Sequence, residues 1–478
     1  MRARIFLRVA LALPLAGWAH GFDERHDLPA PLAHFIAGAA LAVALSFLLA
    51  ALFARRAPVG LTGERAAGGR AIHLALPLRA VLRFASLLLF IVTVAAALVG
   101  TADPMMNLAP TLVWIVWWVG LSLLVACIVN IWPLLDPWAT LFDVADAAAR
   151  RLGQPAGISL GWRWPQALGV WPATALLLAW NWLEIVDPLA AVPFRLGCAA
   201  LAWTAITLLG MVCFGRDSWQ RRGDVFAVYF AMLGRMAPVQ LSPSGQCVTF
   251  RAPGSALVEA PGGVQLPAGG VAFVIAMLST VLFDGLHSSQ AWLGFEAVLV
   301  RLAGHGHAVD GKVSGTAGLL LVWLVFLAAW GLASWIAALS VQGQSAAAIA
   351  RSQAPTLVPI AVGYNVAHNF SSFIEQGQNA LFLVSDPFGW HWNLFGTAQL
   401  HTRSGLVDAR MTWYVAIGMV VLGHCAGVWL AHRVALRDQG QPGGAVRAAL
   451  PLVLLMLVYT AVSLFVIAEP MVQFRQPP

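Results

Sequence analysis

The sequence predicts an all-α integral membrane protein, and three observations carry that reading. Hydrophobic residues make up 60 % of the chain. Charged residues make up 10 %, against about 25 % in an ordinary soluble domain. Apolar stretches of roughly 20 residues, enough to cross a bilayer, recur along the whole length. The formal charge of +7 is no nucleic-acid footprint, because the basic residues flank apolar stretches and do not interleave with exposed aromatics.

Residues 1–19 place Arg2, Arg4 and Arg8 ahead of a short apolar run that closes on Gly17-Trp18-Ala19. Basic start, short apolar middle and small-residue end are the parts of a cleaved signal peptide, which would leave His20 as the mature N-terminus of a single polytopic domain, 20–478. About ten transmembrane helices are then expected, at 31–54, 81–100, 109–131, 166–186, 194–214, 268–286, 316–341, 354–384, 411–435 and 449–469. With residue 20 outside, the arginine-rich loops (Arg55 and Arg56, Arg150 and Arg151, Arg216 to Arg222, Arg433 and Arg437) all fall inside. About eighteen basic residues then lie inside and about seven outside, which predicts a bacterial inner-membrane protein with both mature termini outside.

The connectors follow from composition. Residues 54–78 read as a solvated loop. Pro133 and Pro137 end the third span, and FDVADAAARRLG after them reads as an interfacial anchor helix. Glu184 reads as a snorkelling carboxylate near the outer interface. Residues 238–267 change to proline, glycine and alternating apolar residues, the pattern of a small inner-side β-hairpin-like insertion. His305 and His307 read as a surface turn. All five cysteines fall in spans or on the inner side, so no external disulfide is expected.

The densest chemistry lies between Pro355 and Arg433. Tyr364, His368, Ser371 or Ser372, Glu375 and Gln378 or Asn379 recur every three to four residues and share one helical face. Ionisable groups at this depth mark sites by default. His368 falls about 21 Å from the inner side and His424 about 20 Å from the outer side, so the two can meet if their helices are neighbours. His432 lies about 12 Å below His424. Asp284 falls roughly 22 Å across, in the outer third.

Three readings of this cluster are open. His368 and His424 as metal ligands, with Glu375 and Asp284 as catalytic or ligand carboxylates, suit zinc, copper, manganese or iron. The same groups could bond helix to helix. They could also line a proton or substrate path. The mature start adds His20 and His26 as external metal-capable side chains, because an N-terminal histidine chelates through amine and ring. No Walker, Gly-x-Ser-x-Gly or His-Glu-x-x-His pattern occurs.

The stretches HGFDERHDLPAPL, YNVAHNF, EQGQ, SDPFGWHWNLFGT and GHCAGVWLAHRVAL resemble a family of bacterial polytopic membrane proteins that carry the name fenitrothion hydrolase. The resemblance implies hydrolysis of a hydrophobic organophosphorus triester by a membrane enzyme that works with companion membrane subunits. It would use a divalent metal ion held by His368 and His424, with Glu375 or Asp284 as ligand or general base. A transporter or metal-ion channel and a non-catalytic scaffold subunit are the alternatives.

Overall fold

The structure is a computed structural model, and it describes residues 31–53, 72–73, 75–242, 247–258, 266–303, 311–403 and 405–468. The expected signal peptide, His20, His26, His305 and His307 lie outside the described residues. Eight described helices are long and apolar enough to cross a membrane. They are α1 (Leu32–Phe53), α2 (Leu76–Val99), α3 (Leu108–Cys127), α6 (Pro193–Phe214), α9 (Gly270–His287), α11 (Gly311–Leu339), α15 (Ala409–Gln439) and α16 (Pro442–Ala468). The gaps in that numbering hold α4 (Pro137–Arg151), α5 (Trp171–Ile185), α7 (Arg216–Arg222), α8 (Val225–Leu233), α10 (Gln290–Ala303), α12 (Ala346–Gln353), α13 (Val358–Gln376) and α14 (Asn379–Leu383).

Two expected spans differ from the other eight. α5 has only 15 residues, because Pro172 starts it late and Asp187-Pro188 follows its end. α13 has 19 residues but carries the polar stripe. α5 starts beside Ala268, whose carbonyl accepts the Val170 N–H, and ends at Asp187. α13 starts where Gln353 bonds the Ala431 carbonyl and ends where Gln378 bonds Arg403.

One end is closed by a small sheet and a basic belt. β2 (Val239–Leu241) and β3 (Cys247–Phe250) form the expected hairpin. The 54–78 connector adds a strand to it, β1 (Ile72–His73), giving the order β1-β3-β2, where composition alone predicted only a solvated loop. α4 lies at the same end as an amphipathic helix, with Trp138 and Phe142 buried and Arg151 outward. Its Asp143 pairs with Arg216 at 2.6 Å and with Arg83 of α2. Asp136 and Asp224 cap the starts of α4 and α8. Both are buried, and burial followed by repulsion from Asp136 pushes the Asp224 carboxyl up to about 7.

The opposite end is tied by Asp187, whose side chain is 1 % exposed and bonds Lys312 at 3.0 Å, with Arg195 at 3.5 Å. Burial alone would raise this carboxyl. Lys312, the Leu189 N–H and Arg195 outweigh it and hold it below the ordinary carboxylate range.

Glycines set the tightest helix crossing. A methyl on Gly363 of α13 would lie 2.4 Å from the Met419 carbonyl of α15, and one on Gly423 would lie 2.7 Å from the Pro359 carbonyl. Small residues let backbones approach in a bundle where apolar burial alone does not drive association. This crossing fixes the register of the two helices that carry the candidate histidines.

Candidate functional site

Burial along α13 divides at His368. Val358 to Asn365 and Ala367 are buried, whereas no residue from His368 to Gln378 is. α9 changes in the same way, buried through Phe283 and half-buried from Asp284 to Ser288. The two changes meet in a contact. His368 Nε2 lies 2.8 Å from Asp284 Oδ2, with side chains 15 % and 33 % exposed. A carboxylate only accepts, so Nε2 is the donor in this contact. The pair therefore lies where the closely packed lower half of the bundle gives way to a more loosely packed upper half.

Gly285 allows this approach. A methyl there would lie 3.0 Å from Tyr364 Oη, 2.9 Å from Val466 and 3.8 Å from His368 Nδ1. Tyr364 stacks on His368 with ring centroids 6.4 Å apart and also faces Tyr459, and Tyr459 faces His424 at 5.5 Å. A row of polar rings thus descends from His368 into the bundle.

The expected meeting of His368 and His424 does not occur. Gly423 packs against Pro359, Ile360 and Gly363, so His424 sits about 12 Å below His368, counting eight residues at the helical rise. Its Nδ1 donates to the Val420 carbonyl at 2.8 Å, and its Nε2 is buried without a partner. His432 is lower still and buried. Equal depth was inferred from segment ends, and the glycine crossing shifts the register.

Glu375 also stands apart from the pair. Its Oε1 accepts from the Gly405 N–H at 3.3 Å, and Gln378 holds Arg403 through both amide atoms. These two anchor the long loop after α14. Within that loop Asp386 accepts from the Trp390 and His391 N–H groups, which supports His391 at φ 64°, and Phe388 stacks on Trp390. The Phe388 and Pro387 carbonyls accept from Thr101 and Leu108, so SDPFGWHWNLFGT locks the loop over the turn between α2 and α3.

The bundle also encloses a chamber of about 1110 Å³ that sequence reasoning missed, and neither His368 nor Asp284 lines it. Its walls include Trp117, Trp138, Trp180, Trp203, Phe226 and Phe373. Phe373, Ile374, Gly377 and Gln378, one to three turns above His368, share its lining. Thr111–Leu121 of α3 has π-helical hydrogen bonding. Its wider turn aligns residues four apart, so Val113, Trp117 and Leu121 face the chamber while Trp118 turns to α5. There Trp118 Nε1 donates to Glu184 Oε2 at 2.9 Å. Glu184 is half-buried within the bundle, not a snorkelling surface group. Tryptophans inside the third span, at 114, 117 and 118, were the available signal, since interfacial Trp belongs at span ends.

Among the described residues no three or more His, Cys, Asp or Glu side chains form a group that could hold a metal ion. His368 and Asp284 supply two donors, one fewer than a catalytic zinc takes from its protein. The expected set of His368, His424, Glu375 and Asp284 is divided among three places, and only the His368–Asp284 contact forms. No family model, curated protein or solved structure matches the chain.

Proposed function

We propose that this chain is a multi-pass membrane enzyme that hydrolyses a hydrophobic ester, with His368 as general base and Asp284 as the group that orients it. The observation that supports this reading is the His368–Asp284 contact at the level where packing loosens; an aromatic chamber able to take an apolar aryl group lies one to three turns further along α13. A base held by a carboxylate is the arrangement that water activation needs.

The resemblance narrows the substrate to an organophosphorus triester. Water would add to phosphorus as its proton passes to His368 Nδ1. The aryloxide would leave and take that proton back as the phenol. The chain would cross a bacterial inner membrane ten times, α5 and α13 included, with both mature ends outside and the pair near the outer third. Membrane lipid contacts the apolar helices, and companion subunits remain part of this proposal through the resemblance alone.

The test is turnover of an aryl phosphorothioate triester by the purified protein in lipid nanodiscs, read as phenol release. His368→Asn should lower the rate about 10²- to 10⁴-fold, the range of a positioned base, while His424→Asn leaves it within a few-fold. Elemental analysis of the same preparation checks for zinc, copper, manganese or iron. Absence of turnover in a folded preparation, or equal rates for wild type and His368→Asn, would refute the reading.

A transporter is the second reading. It is favoured by the row that continues below His368 through Tyr364 and Tyr459 to the unpartnered Nε2 of His424. Flux in proteoliposomes that depends on His424 would support it over hydrolysis.

A further inference from the structure

We propose that the aromatic chamber is the seat of a bilayer lipid, whose uncharged hydrocarbon chain fills it. The inference goes beyond the hydrolase reading and does not rest on it: neither His368 nor Asp284 lines the chamber, so a molecule held there is not thereby the substrate.

Size argues against an empty chamber. Its volume is about 1110 Å³, and the cost of an unfilled cavity grows in proportion to its volume. A void of this size would cost more than the whole stability of a typical domain. Water is a poor filler, because apolar cavities stay dry and this wall presents carbon almost throughout. No lining residue is charged. Its hydroxyl and amide side chains are already bonded within the protein: Ser86 donates to the Leu135 carbonyl, Thr93 to the Leu89 carbonyl and Gln378 to the Arg403 carbonyl. The indole nitrogens of Trp132, Trp180 and Trp203 are buried against protein, so these rings too offer a guest mainly carbon.

The shape selects a chain. Lining residues run from Leu82 to Thr93 on α2 and from Leu196 to Ile206 on α6, about 15 Å along each helix and about half the hydrocarbon thickness of a bilayer. Pockets for drug-sized ligands reach about 1,000 Å³ at most, so a small aryl ester would leave much of this one unfilled. Part of the wall is a shell of rings, with Trp117, Trp180 and Trp203 around Phe226 at centroid distances of 4.5, 5.1 and 4.8 Å. The rest is aliphatic and includes Leu82, Leu89, Leu112, Leu196 and Leu381. Of the helices that supply it, α2, α3 and α6 are long and apolar enough to cross a membrane, where hydrocarbon chains are the solvent.

The wall is also unusual in its backbone. Leu112, Val113, Val116, Trp117, Gly120 and Leu121, six of the eleven residues in the π-helical segment of α3, line the chamber. Such segments are rare, and they occur frequently at functional sites. A chance gap in packing would not call for one.

The experiment places the intact chain in nanodiscs of one synthetic phosphatidylcholine, with and without a decyl-tailed benzoquinone, and reads bound molecules by native mass spectrometry. Wild type should keep a tightly held lipid after the surrounding lipids are stripped away. Ala200→Phe and Ala202→Phe, which put a ring into the chamber, should lose it, while Leu321→Phe on the exposed face of α11 should keep it. Retained phosphatidylcholine identifies an acyl chain as the occupant, and its displacement by the benzoquinone identifies a quinone tail. A second measurement needs no overpacked variant. In nanodiscs of chain-brominated phosphatidylcholine the Trp180 and Trp203 indoles should already be quenched, so Trp180→Phe and Trp203→Phe should each remove less fluorescence there than in the unbrominated lipid. A folded wild type that keeps neither lipid nor quinone, chamber-filling variants that keep as much as wild type, or equal fluorescence losses in the two lipids would overturn the proposal. None of these measurements reads turnover, so failure here and failure of the hydrolase reading are distinguishable.

Discussion

Replacing Asp284 by Asn tests the core of the site, because it keeps the size of the side chain and removes only its charge. The contact with His368 Nε2 is 2.8 Å, so the charge centres of carboxylate and imidazolium would lie about 4 Å apart. At an effective dielectric of about 20 that attraction is worth about 4 kcal/mol. The two side chains are 33 % and 15 % exposed, so solvent screening reduces it, and about 2–3 kcal/mol is the working value. If the imidazolium forms as the bond to phosphorus forms, the loss falls on the chemical step. Asp284→Asn should then lower kcat about 30- to 150-fold, at 1.4 kcal/mol per tenfold, with little change in KM. The amide can also donate to Nε2 and reverse the ring tautomer, which adds to the loss. Stopped assays of phenol release at saturating substrate read kcat directly. A variant that keeps wild-type kcat while His368→Asn is inactive would refute the orienting role. A variant that raises KM alone would refute a role in the chemical step.

Other substitutions probe the surrounding structure. Gly285→Ala should cost about 1–3 kcal/mol of stability by overpacking and reduce turnover, since its methyl meets Val466 and Tyr364 Oη; a thermal midpoint and kcat equal to wild type would exclude that close approach. Gly120→Ala would press on the Phe373 ring at 2.8 Å and narrow the chamber, so KM for a bulky aryl ester should rise several-fold while that for a small one does not. Asp224→Asn keeps a good helix cap and tests the buried carboxyl at the sheet end. Its folded value of about 7 lies above the ordinary value of about 3.9, so folding retains a proton that the unfolded chain has released between those limits. Stability is therefore full below about pH 4 and is lost as pH rises through about 7, by on the order of 1.4 kcal/mol per unit inside that window. Thermal melts in detergent should show this slope in wild type and a flatter one in Asp224→Asn.

The helices were legible because the bilayer imposes one simple demand, an apolar run of fixed length, and eight of the ten expected spans overlap helices long and apolar enough to cross it. The hairpin at 239–250 was legible from its alternation. β1 was not, since two residues of strand carry no period of their own and pair only because β3 presents an open edge. The polar stripe singled out His368 and span depth singled out Asp284, yet their contact depends on how α9 and α13 pack. Sequence spacing describes one helix at a time. The register between α13 and α15 follows from Gly363 and Gly423, and nothing in the stripe reports it, so His424 was expected at the wrong level. Glu184 was misread for a related reason. A carboxylate near the end of an apolar segment is normally at the interface, but α5 is shorter than its neighbours, and Trp118 holds the group inside.

The site lies where it does because the bundle is packed by two different means. Below His368, glycines bring backbones into contact, and some hydroxyls buried there bond within their own helix, as Thr356 does to Gln353 and Thr460 to Met456. Above it, α13 carries Phe370, Phe373 and the polar residues that hold the loop after α14, and its neighbours stay partly exposed. A polar pair placed in the lower half would face the full cost of desolvation. Placed in open solvent, its electrostatic interaction would be screened to little. The boundary between the two halves gives His368 and Asp284 one closely packed side, where their interaction keeps its strength, and one partly exposed side. Tightening the upper half with small residues should therefore silence the site without touching either partner.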